Sequence, residues 1–417
     1  MILTSSIINH KRVESRIKEL SAIGKIKGTG VCRLALSKED RQAVELVQSW
    51  MEEGGLKTHI DDFGNLVGRL EGRDKSAPIL RIGSHIDSQP YGGRFDGVIG
   101  VIGGLEVAQT LHEKGIVPPV SIEVVAFCDE EGSRFNKGLF GVRGMHGRLE
   151  EDELERKDQH GTTRKEALIE FGCDPNQFLK WEYKDEEIAA YLELHIEQGP
   201  VLEEKGQGVG IVTGISGPLW LTVELAGFAG HAGSVPMSMR QDALVGAAAI
   251  ITTLNNIASQ NIENPTVGTV GNIEVFPNSR NIIAEKVRFT IDLRDMDMER
   301  RNAYEQDLRK AIGDICAEQG LTYTIKEDTN SKPRYCAKWI KDCMKEGAAL
   351  MNISPPELMS GPFHDALVMS YVCDYGMIFV RSKDGISHNP KEYSSYEDIA
   401  LGTELLYHTA EKVLEKL

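Results

Sequence analysis

Apolar and polar residues follow one another along the first part of the chain in the order expected of an α/β fold. LKTHI and NLVGRL have the pattern of strands, whereas APILRIG and VSIEVVAF are nearly continuous apolar runs. A helical pattern from about Val98 to Lys114 separates these two runs. A strand, a helix and a strand at this spacing predict a right-handed crossover, and therefore a parallel or mixed sheet covered by helices.

Helical patterns precede these strands. One lies near residues 11 to 23, and the next is LSKEDRQAVELVQSWMEEGG, where Ser37 and Asp40 predict a capping box and Gly54 and Gly55 end the helix. At the other end of the chain, YCAKWIKDCMKEGAAL predicts a helix, GMIFV a strand, and the last residues a final helix. The α/β alternation is thus present at both ends.

The order changes between about Gly210 and Asp328. Here the pattern predicts a strand, a helix near residues 241 to 260, two strands, a helix near 298 to 319 and a last strand. This is the β-α-β-β-α-β order of a ferredoxin-like unit. We therefore expect an α/β catalytic domain formed by 1–211 and 329–417, with a mixed, largely parallel sheet flanked by helices, and an inserted α+β domain at 212–328.

Length and charge narrow the class of protein. A chain of 417 residues exceeds the size of one ordinary domain, and a net charge of −16 disfavours nucleic acid and anionic membranes as partners. No apolar run is long enough to span a bilayer, and the first residues lack the layout of a signal peptide. The seven scattered cysteines suit reduced thiols, so we expect a cytoplasmic protein.

Polar side chains follow the predicted strand APILRIG. In GSHIDSQPYGGRFDG, His85 and Asp87 are two residues apart, so that they face the same way in an extended chain and Asp87 can orient the imidazole. Asp96 follows the flexible pair Gly92 and Gly93, which allows its carboxylate to turn back toward His85. The carboxyl end of a strand in an open α/β sheet is where ligands bind.

Three further segments add candidate ligands. Asp129, Glu130 and Glu131 follow the strand VSIEVVAF, His195 lies in YLELHIEQGPVLE, and His388 lies in GISHNP. An acidic run is usually a solvated surface, and a single histidine among apolar residues is usually packed in a core. Together, however, these histidines and carboxylates have the number and type of ligands that two zinc-like ions require. The absence of an H-E-x-x-H motif excludes a single-zinc protease.

Several ordered motifs resemble one family. GSHIDSQPYGGRFDG, FCDEEGSRF, ELHIEQGPVLE, GFAGHAGSVPM, SGPFHDA and GISHNPKEYS together resemble the hydantoinase/carbamoylase family of dinuclear-metal amidohydrolases. The family includes N-carbamoyl-L-amino-acid hydrolases, allantoate amidohydrolases and bacterial-type β-ureidopropionases, and it is related to zinc aminoacylases and aminopeptidases. The resemblance extends from about Ile17 to the C-terminus.

The resemblance implies a metal site and a catalytic base. It implies two divalent ions, zinc first and manganese, cobalt or nickel as alternatives, with His85 and His195 holding one ion each and Asp96 bridging them. Glu131 and His388 would help to complete the coordination spheres, without fixing the pairing. Glu130 would act as general base and acid, and Asp87 would orient His85.

The resemblance also implies how substrate binds. The matching residues are Gln198, His231, Asn281, Arg294 and Gly361. Arg294 suits the carboxylate of a small ureido substrate, because a planar guanidinium engages both oxygens. His231 and Asn281 would donate to the carbonyl oxygen as it gains charge. Because His231, Asn281 and Arg294 lie on the inserted domain, the family implies a lid and dimerisation role for it, and a homodimer.

The implied reaction is hydrolysis of the ureido C–N bond of N-carbamoyl-L-amino acids. Alternatives are hydrolysis of allantoate, of N-carbamoyl-β-alanine, or of N-acyl amino acids or peptides, and a non-catalytic ligand-binding protein. Some residues depart from the family pattern and predict an altered substrate preference; these are Pro218, Trp220, Pro362, Phe363 and Arg381.

Overall fold

The computed structural model describes residues 6–180, 183–261 and 266–417. The chain divides into two compact units, unit 1 formed by Met1–Thr213 and Cys336–Leu417, and unit 2 formed by Gly214–Tyr335. The sequence predicts 212–328 for the inserted segment, whereas unit 2 extends to Tyr335. It does so because Arg334 and Tyr335 pair with Ile215 and Gly214.

The strands and helices are numbered in chain order. The strands are β1 (Lys57–Ile60), β2 (Leu66–Leu70), β3 (Ile79–His85), β4 (Ile122–Phe127), β5 (Ile188–Ile196), β6 (Val209–Ile215), β7 (Gly217–Ala226), β8 (Val267–Thr269), β9 (Ile273–Phe276), β10 (Lys286–Asp295), β11 (Thr322–Asn330), β12 (Arg334–Tyr335), β13 (Glu357–Ser360) and β14 (Asp374–Val380). The helices are α1 (His10–Leu20), α2 (Lys38–Glu53), α3 (Val98–Glu113), α4 (Phe140–Met145), α5 (Arg164–Phe171), α6 (Val201–Glu204), α7 (Ala243–Ala258), α8 (Met298–Gln319), α9 (Lys338–Leu350), α10 (Asp365–Met369) and α11 (Tyr396–Leu414).

One mixed sheet forms the centre of unit 1. Its order within unit 1 is β1-β2-β4-β3-β5-β14-β6, with β13 beside β6. The central strands β4, β3, β5 and β14 are parallel, whereas β1 with β2, β2 with β4, and β14 with β6 pair antiparallel. β3 and β4 are buried along their whole length, as their continuous apolar runs predict. The helix α3 packs on β3 and β5, and α11 packs on α3 and α9. The predicted mixed α/β fold is confirmed.

An antiparallel sheet forms unit 2. Its order is β11-β7-β10-β8, with β9 beside β10, and the helices α7 and α8 pack on it. Alternate residues of β7 and β10 form its core, which explains the alternation in the sequence; they are Leu219, Leu221, Val223, Leu225, Val287, Phe289, Ile291 and Leu293.

Two local details differ from the prediction. The segment TVGTVGNIEVF forms two strands, because the residues from Thr269 to Ile273 lie opposite one residue fewer on β10. The cap of α2 is only half of a capping box: Ser37 Oγ accepts from the Asp40 backbone, but Asp40 Oδ2 accepts from Leu36 N. Among the described residues, no helix has both the length and the apolar character needed to cross a membrane.

Candidate metal and catalytic site

The parallel centre of the sheet in unit 1 brings the candidate ligands to one edge. His85 is the last residue of β3, and His195 is near the end of β5. Glu130 and Glu131 follow β4, and His388 lies in the loop after β14. Because the four strands are parallel neighbours, their carboxyl ends lie together, as the sequence predicts.

Asp96 lies between two groups of candidate ligands. Its Oδ1 is 3.1 Å from His195 Nε2 and 3.8 Å from His85 Nε2, and its Oδ2 is 3.3 Å from His388 Nε2. Glu131 Oε2 lies 3.5 Å from the same nitrogen of His388. The ligand atoms of His85, Asp96 and His195 all lie within 4.8 Å of one another, and so do those of Asp96, Glu131 and His388. Each oxygen of Asp96 therefore faces a different group.

The rings of His85 and His195 are oriented by backbone carbonyls. Nδ1 of His85 lies 3.1 Å from the carbonyl oxygen of Asp87, and Nδ1 of His195 lies 2.9 Å from that of Ile196. A carbonyl only accepts, so Nδ1 of each ring carries the hydrogen, and in the neutral ring the lone pair is on Nε2. In both residues Nε2 is the atom that faces Asp96, which is the tautomer that a metal-binding imidazole needs.

The spacing within the two groups suits cation binding. Two ligands that bind zinc tetrahedrally at ~2.0 Å are about 3.3 Å apart, and the distances around Asp96 run from 3.1 to 3.8 Å. Imidazole and carboxylate are ligands that zinc accepts. In this grouping His85 and His195 are in the same ligand group, whereas the family resemblance described above implies one ion for each of them.

A third group of possible ligands, Glu193, His195 and His364, is buried deeper. The carboxylate of Glu193 is already occupied, because it accepts hydrogen bonds from Ser84 Oγ, Tyr191 OH and the backbone N–H of Ala366. We therefore regard Glu193 as support for β5 and not as a cation ligand.

Asp87 links the end of β3 to the segment after β4. Its Oδ1 and Oδ2 accept hydrogen bonds from the backbone N–H groups of Glu130 and Glu131, at 3.2 and 3.3 Å. Its Oδ1 is also 3.6 Å from Nδ1 of His85, although the carbonyl of the same residue lies closer to that nitrogen. The carboxylate of Asp87 therefore positions the two glutamates more directly than it positions the histidine.

The three consecutive acids after β4 point in different directions. Asp129 has a left-handed φ of 56°, and its carboxylate pairs with the buried Arg164 at 2.9 Å. Glu130 Oε2 instead lies 3.6 Å from Nε2 of His85, and Glu131 reaches His388. The turn at Asp129 thus directs one acid to the protein interior and the next two to the candidate site.

Burial and neighbouring charges shift the protonation of these groups. Burial raises the pKa of Glu130 well above its usual range, against the opposing effect of His85. Burial, together with Asp96, raises the pKa of Glu131 to about 7. The contact with Asp96 raises the pKa of His388 to about 9. Burial alone would raise the pKa of Asp96, but His195 and His388 hold it well below its usual range.

Two of the sequence-predicted substrate-binding residues lie in unit 1. Gln198 has a left-handed φ of 57°, and its amide donates to Asp96 Oδ2 at 2.9 Å and to Ser387 Oγ at 3.2 Å. Its Oε1 is buried and has no hydrogen-bond partner among the described residues. Gly361 lies between β13 and α10, and a Cβ there would meet no atom within 4 Å.

His231 and Asn281 lie side by side in unit 2 and are exposed. A bridge pairs His231 with Ile282, and the N–H of Ala232 donates to the carbonyl of Asn281 at 2.9 Å. Nδ1 of His231 accepts from the N–H of Gly233 at 3.1 Å, so the neutral ring carries its hydrogen on Nε2. Oδ1 of Asn281 accepts from Ser279 Oγ. His231 Nε2 and the Asn281 amide nitrogen are therefore both hydrogen-bond donors.

Arg294 is held by an acid on its own strand. Asp292 lies two residues earlier on the same face of β10, and it accepts from Nε and from Nη2, the latter at 2.7 Å. The register places Pro218 opposite Arg294 and Trp220 opposite Asp292. Residues directly opposite in an antiparallel pair share a face of the sheet, so two of the departures from the family pattern lie beside Arg294.

The other departures lie in unit 1. Pro362 and Phe363 follow Gly361, and the carbonyl of Pro362 accepts from Ser360 Oγ at 2.9 Å. Arg381 donates twice to Asp398 Oδ2, at 3.0 and 2.7 Å, and so links the end of β14 to α11.

One residue that the sequence did not single out is in contact with the site. Glu392 is 2% exposed and accepts hydrogen bonds from the backbone N–H groups of Phe95 and Asp96. It lies in the motif GISHNPKEYS, four residues after His388. The nearness of this acid to His388 in the sequence could have indicated a role in the site. The sequence alone, however, does not distinguish a buried acid with these contacts from an exposed loop residue.

Comparisons with known proteins agree with the fold. The model of the peptidase family M20/M25/M40 matches residues 82–412. An N-carbamoyl-L-amino-acid amidohydrolase from Pseudomonas sp. (strain NS671) is 46% identical over 96% of this chain and 98% of that protein. Allantoate deiminase 1 from Glycine max is 34% identical over 92% of this chain and 86% of that protein.

A solved structure is similar over nearly the whole chain. It is an amidase of the hydantoinase/carbamoylase family from Burkholderia multivorans, with a TM-score of 0.89 and 36% identity over 96% of this chain and 97% of that one. The family match covers the segments that carry the candidate ligands, from His85 to His388. The chain therefore belongs to the peptidase family M20/M25/M40, and its relatives include hydantoinase/carbamoylase amidases.

Proposed function

We propose that the protein hydrolyses the ureido C–N bond of N-carbamoyl-L-amino acids and releases the L-amino acid, ammonia and carbon dioxide. The observation that carries the proposal is the position of Asp96, whose two oxygens face two groups of ligand atoms, with Glu130 at the edge of one group. The similarity to a named N-carbamoyl-L-amino-acid amidohydrolase over nearly the whole chain supports the substrate class.

We propose that these two groups hold a pair of divalent cations. His85, Asp96 and His195 would hold one, and Asp96, Glu131 and His388 the other. Zinc is the first expectation, and the same donors accept manganese, cobalt or nickel. When bound, such a pair acidifies a water molecule and polarises a carbonyl oxygen.

Glu130 is the proposed proton carrier. It receives the proton of the attacking water and passes it to the substrate nitrogen as the C–N bond breaks, so the leaving group departs as a neutral amine. The carbamate left behind decomposes to ammonia and carbon dioxide. Asp87 is the proposed positioning residue, because its carboxylate holds the backbone on either side of the base, at Glu130 N and Glu131 N.

We propose Gln198, Gly361, His231, Asn281 and Arg294 as substrate-binding residues. The unpartnered Oε1 of Gln198 is an acceptor that suits a ureido N–H group. The open space at Gly361 admits a substrate atom close to the backbone. His231 Nε2 and the Asn281 amide are donors that suit the carbonyl oxygen, and Arg294 suits the carboxylate.

The second candidate is allantoate, because an allantoate deiminase is 34% identical over most of this chain. Allantoate also carries a ureido group and a carboxylate, so the same residues suit it. Hydrolysis of N-carbamoyl-β-alanine belongs to the same chemistry. A non-catalytic ligand-binding role is disfavoured because both Glu130 and Asp96 are present.

A panel of substrates with ammonia detection tests the proposal. N-carbamoyl-L-amino acids, N-carbamoyl-β-alanine, allantoate and an N-acetyl-L-amino acid are compared, with and without a chelator. We expect ammonia release from the N-carbamoyl-L-amino acids, little from the other three compounds, and none from any compound after metal removal. Release from allantoate alone would favour the second candidate, and no ammonia from any ureido compound by metal-loaded protein would contradict both.

We further propose a homodimer in the cytoplasm. The dimer is inferred from the family resemblance, and the compartment from the seven unpaired cysteines. Light scattering after size-exclusion chromatography tests the dimer directly, since a mass near 46.1 kDa would indicate a monomer.

A further inference from the structure

Two loops of unit 1 are joined through Glu392. Its Oε1 accepts hydrogen bonds from the backbone N–H groups of Phe95 and Asp96, at 3.0 and 3.2 Å. Its Oε2 lies 3.1 Å from the hydroxyl of Ser387. The first contacts are to the loop that carries Asp96, and the last is to the loop that carries His388.

Ser387 makes a second link between the same loops. Its Oγ lies 2.9 Å from Asp96 Oδ2, the oxygen that also faces His388. The segment before Asp96 is shaped to admit Glu392, because a Cβ at Gly93 would overlap its carboxyl group. The backbone of Asp96, its side chain and the loop of His388 are therefore all fixed by a few buried contacts.

His388 is the most exposed of the five candidate ligands, and its ring has polar contacts with Asp96 and Gln198. Its side chain is 50% exposed, and its backbone has a left-handed φ of 51°. Such a φ is unfavourable for a residue with a Cβ and persists only where the surrounding structure enforces it. Besides the contact of the ring itself with Asp96, the links through Ser387 and Glu392 hold this loop to the loop of Asp96.

We infer that Glu392 is a positioning residue that sets the distance between the carboxylate of Asp96 and the imidazole of His388. It thereby forms the ligand group of Asp96, Glu131 and His388 before a cation arrives. The inference rests on the proposed function only in that this group holds a cation. Hydrogen bonds from backbone N–H groups to a carboxylate are strong and directional, which suits this role.

Zinc titration of chelator-stripped protein tests the inference, with a competing chromophoric chelator to measure affinity and mass spectrometry to count bound ions. The variants are Glu392→Ala, Glu392→Gln and the exposed control Glu397→Ala. We expect Glu392→Ala to weaken the binding of one of two zinc ions by about 10- to 100-fold, and to weaken the other, which shares only Asp96 with this group, clearly less. Glu392→Gln keeps an oxygen for the two N–H groups and should recover most of the affinity, and Glu397→Ala should match wild type.

Gly93→Ala and Ser387→Ala provide independent evidence if Glu392→Ala does not fold. Gly93→Ala displaces the Glu392 side chain without removing it, so the same zinc ion should weaken. Unchanged zinc affinity in folded Glu392→Ala, or in both Gly93→Ala and Ser387→Ala, would overturn the inference. Equal weakening of both ions, with a lower unfolding midpoint of the metal-free protein and no recovery in Glu392→Gln, would show a general structural role and would also overturn it.

Failure of the proposed function is a separate result. If wild-type protein binds two zinc ions but releases no ammonia from any ureido compound, the substrate proposal is wrong. The effect of Glu392 on zinc affinity is measured without substrate, so it is decided in either case.

Discussion

The candidate ligands of unit 1 and the candidate substrate-binding residues of unit 2 are held in different ways. His85, Asp96 and His195 are at most 7% exposed, and each is constrained by hydrogen bonds to backbone groups or by buried neighbours. His231 and Asn281 are exposed, and the side chain of each accepts a hydrogen bond from a residue two positions away in the chain. The fold therefore fixes the positions of these buried candidate ligands, whereas the side chains of His231 and Asn281, which we propose to bind substrate, have more room to adjust.

The largest effect should come from Glu130, the proposed proton carrier. Glu130→Gln retains the shape of the side chain but cannot accept a proton, so we expect kcat to fall by about 100-fold or more. Bound metal should remain at the wild-type level, because Glu130 is outside both ligand groups. Ammonia release and metal content check the two expectations, with the exposed Glu151→Gln as control. Wild-type turnover by Glu130→Gln would remove this residue from the mechanism.

The next largest effect should come from Arg294, the proposed carboxylate-binding residue of unit 2. Arg294→Lys keeps the charge but loses the planar pair of donors, so we expect KM to rise about 10- to 100-fold with a smaller change in kcat. Arg288→Lys on the same strand, which is exposed, should leave both constants unchanged. If KM for a carboxylate substrate is the same in Arg294→Lys, this arginine does not bind the carboxylate.

A third test concerns stability and the buried polar groups of unit 1. Burial, with Arg81 nearby, lowers the pKa of His146 from 6.5 to about 3. Between these values the unfolded chain takes up a proton that the folded chain does not, so this residue favours unfolding as the pH falls below 6.5. At pH 5 the loss is about 2 kcal/mol.

The variant His146→Gln should show a smaller loss of stability on acidification, because glutamine takes up no proton in this pH range. Its side-chain oxygen can still accept the hydrogen bond that Arg81 donates, so the native packing should be kept. Urea unfolding at pH 7.5 and pH 5.0 measures the difference, with the exposed His160→Gln as control. An equal acid-induced loss in wild type and His146→Gln would show that His146 does not govern this pH dependence.

The smallest effect should be on substrate preference. Trp220 is 38% exposed and lies opposite Asp292 on the face of the sheet that carries Arg294. Removing its ring in Trp220→Ala should change the ratio of kcat/KM between bulky and small N-carbamoyl-L-amino acids by about 10-fold. Metal content should not change. A constant ratio across side-chain sizes would place the specificity pocket elsewhere.

The sequence predicted the elements of the fold well where the hydrophobic period was clear. The helices α2, α3 and α8 and the strands β3 and β4 lie within a few residues of their predicted positions. The short helices α4 and α10 carry too few residues for a period to be visible. The sequence predicts β8 and β9 as one strand, because the irregularity between them depends on pairing with β10, which is not a local property.

Candidate ligands could be predicted because strand ends in a parallel sheet meet at one edge. The direction of each side chain could not, since it depends on tertiary contacts. Asp129 and Glu130 are adjacent, yet a left-handed φ and the distant Arg164 separate them. The contact between Asp292 and Arg294 does not follow from the sequence either, because alternation along a strand places both side chains on one face but does not show that they pair. The link from Glu392 to the loop of Asp96 does not follow from the sequence, because Phe95 and Asp96 lie almost three hundred residues away in the chain.

The candidate ligands lie at residues 85, 96, 131, 195 and 388, so they come from widely separated segments of unit 1. Ions bound there would act as removable cross-links between these segments. An unfolded chain does not present such a cluster, so the thermal midpoint of the protein should depend on the concentration of free zinc. Cellular metal supply would then influence the lifetime of the folded protein as well as its turnover.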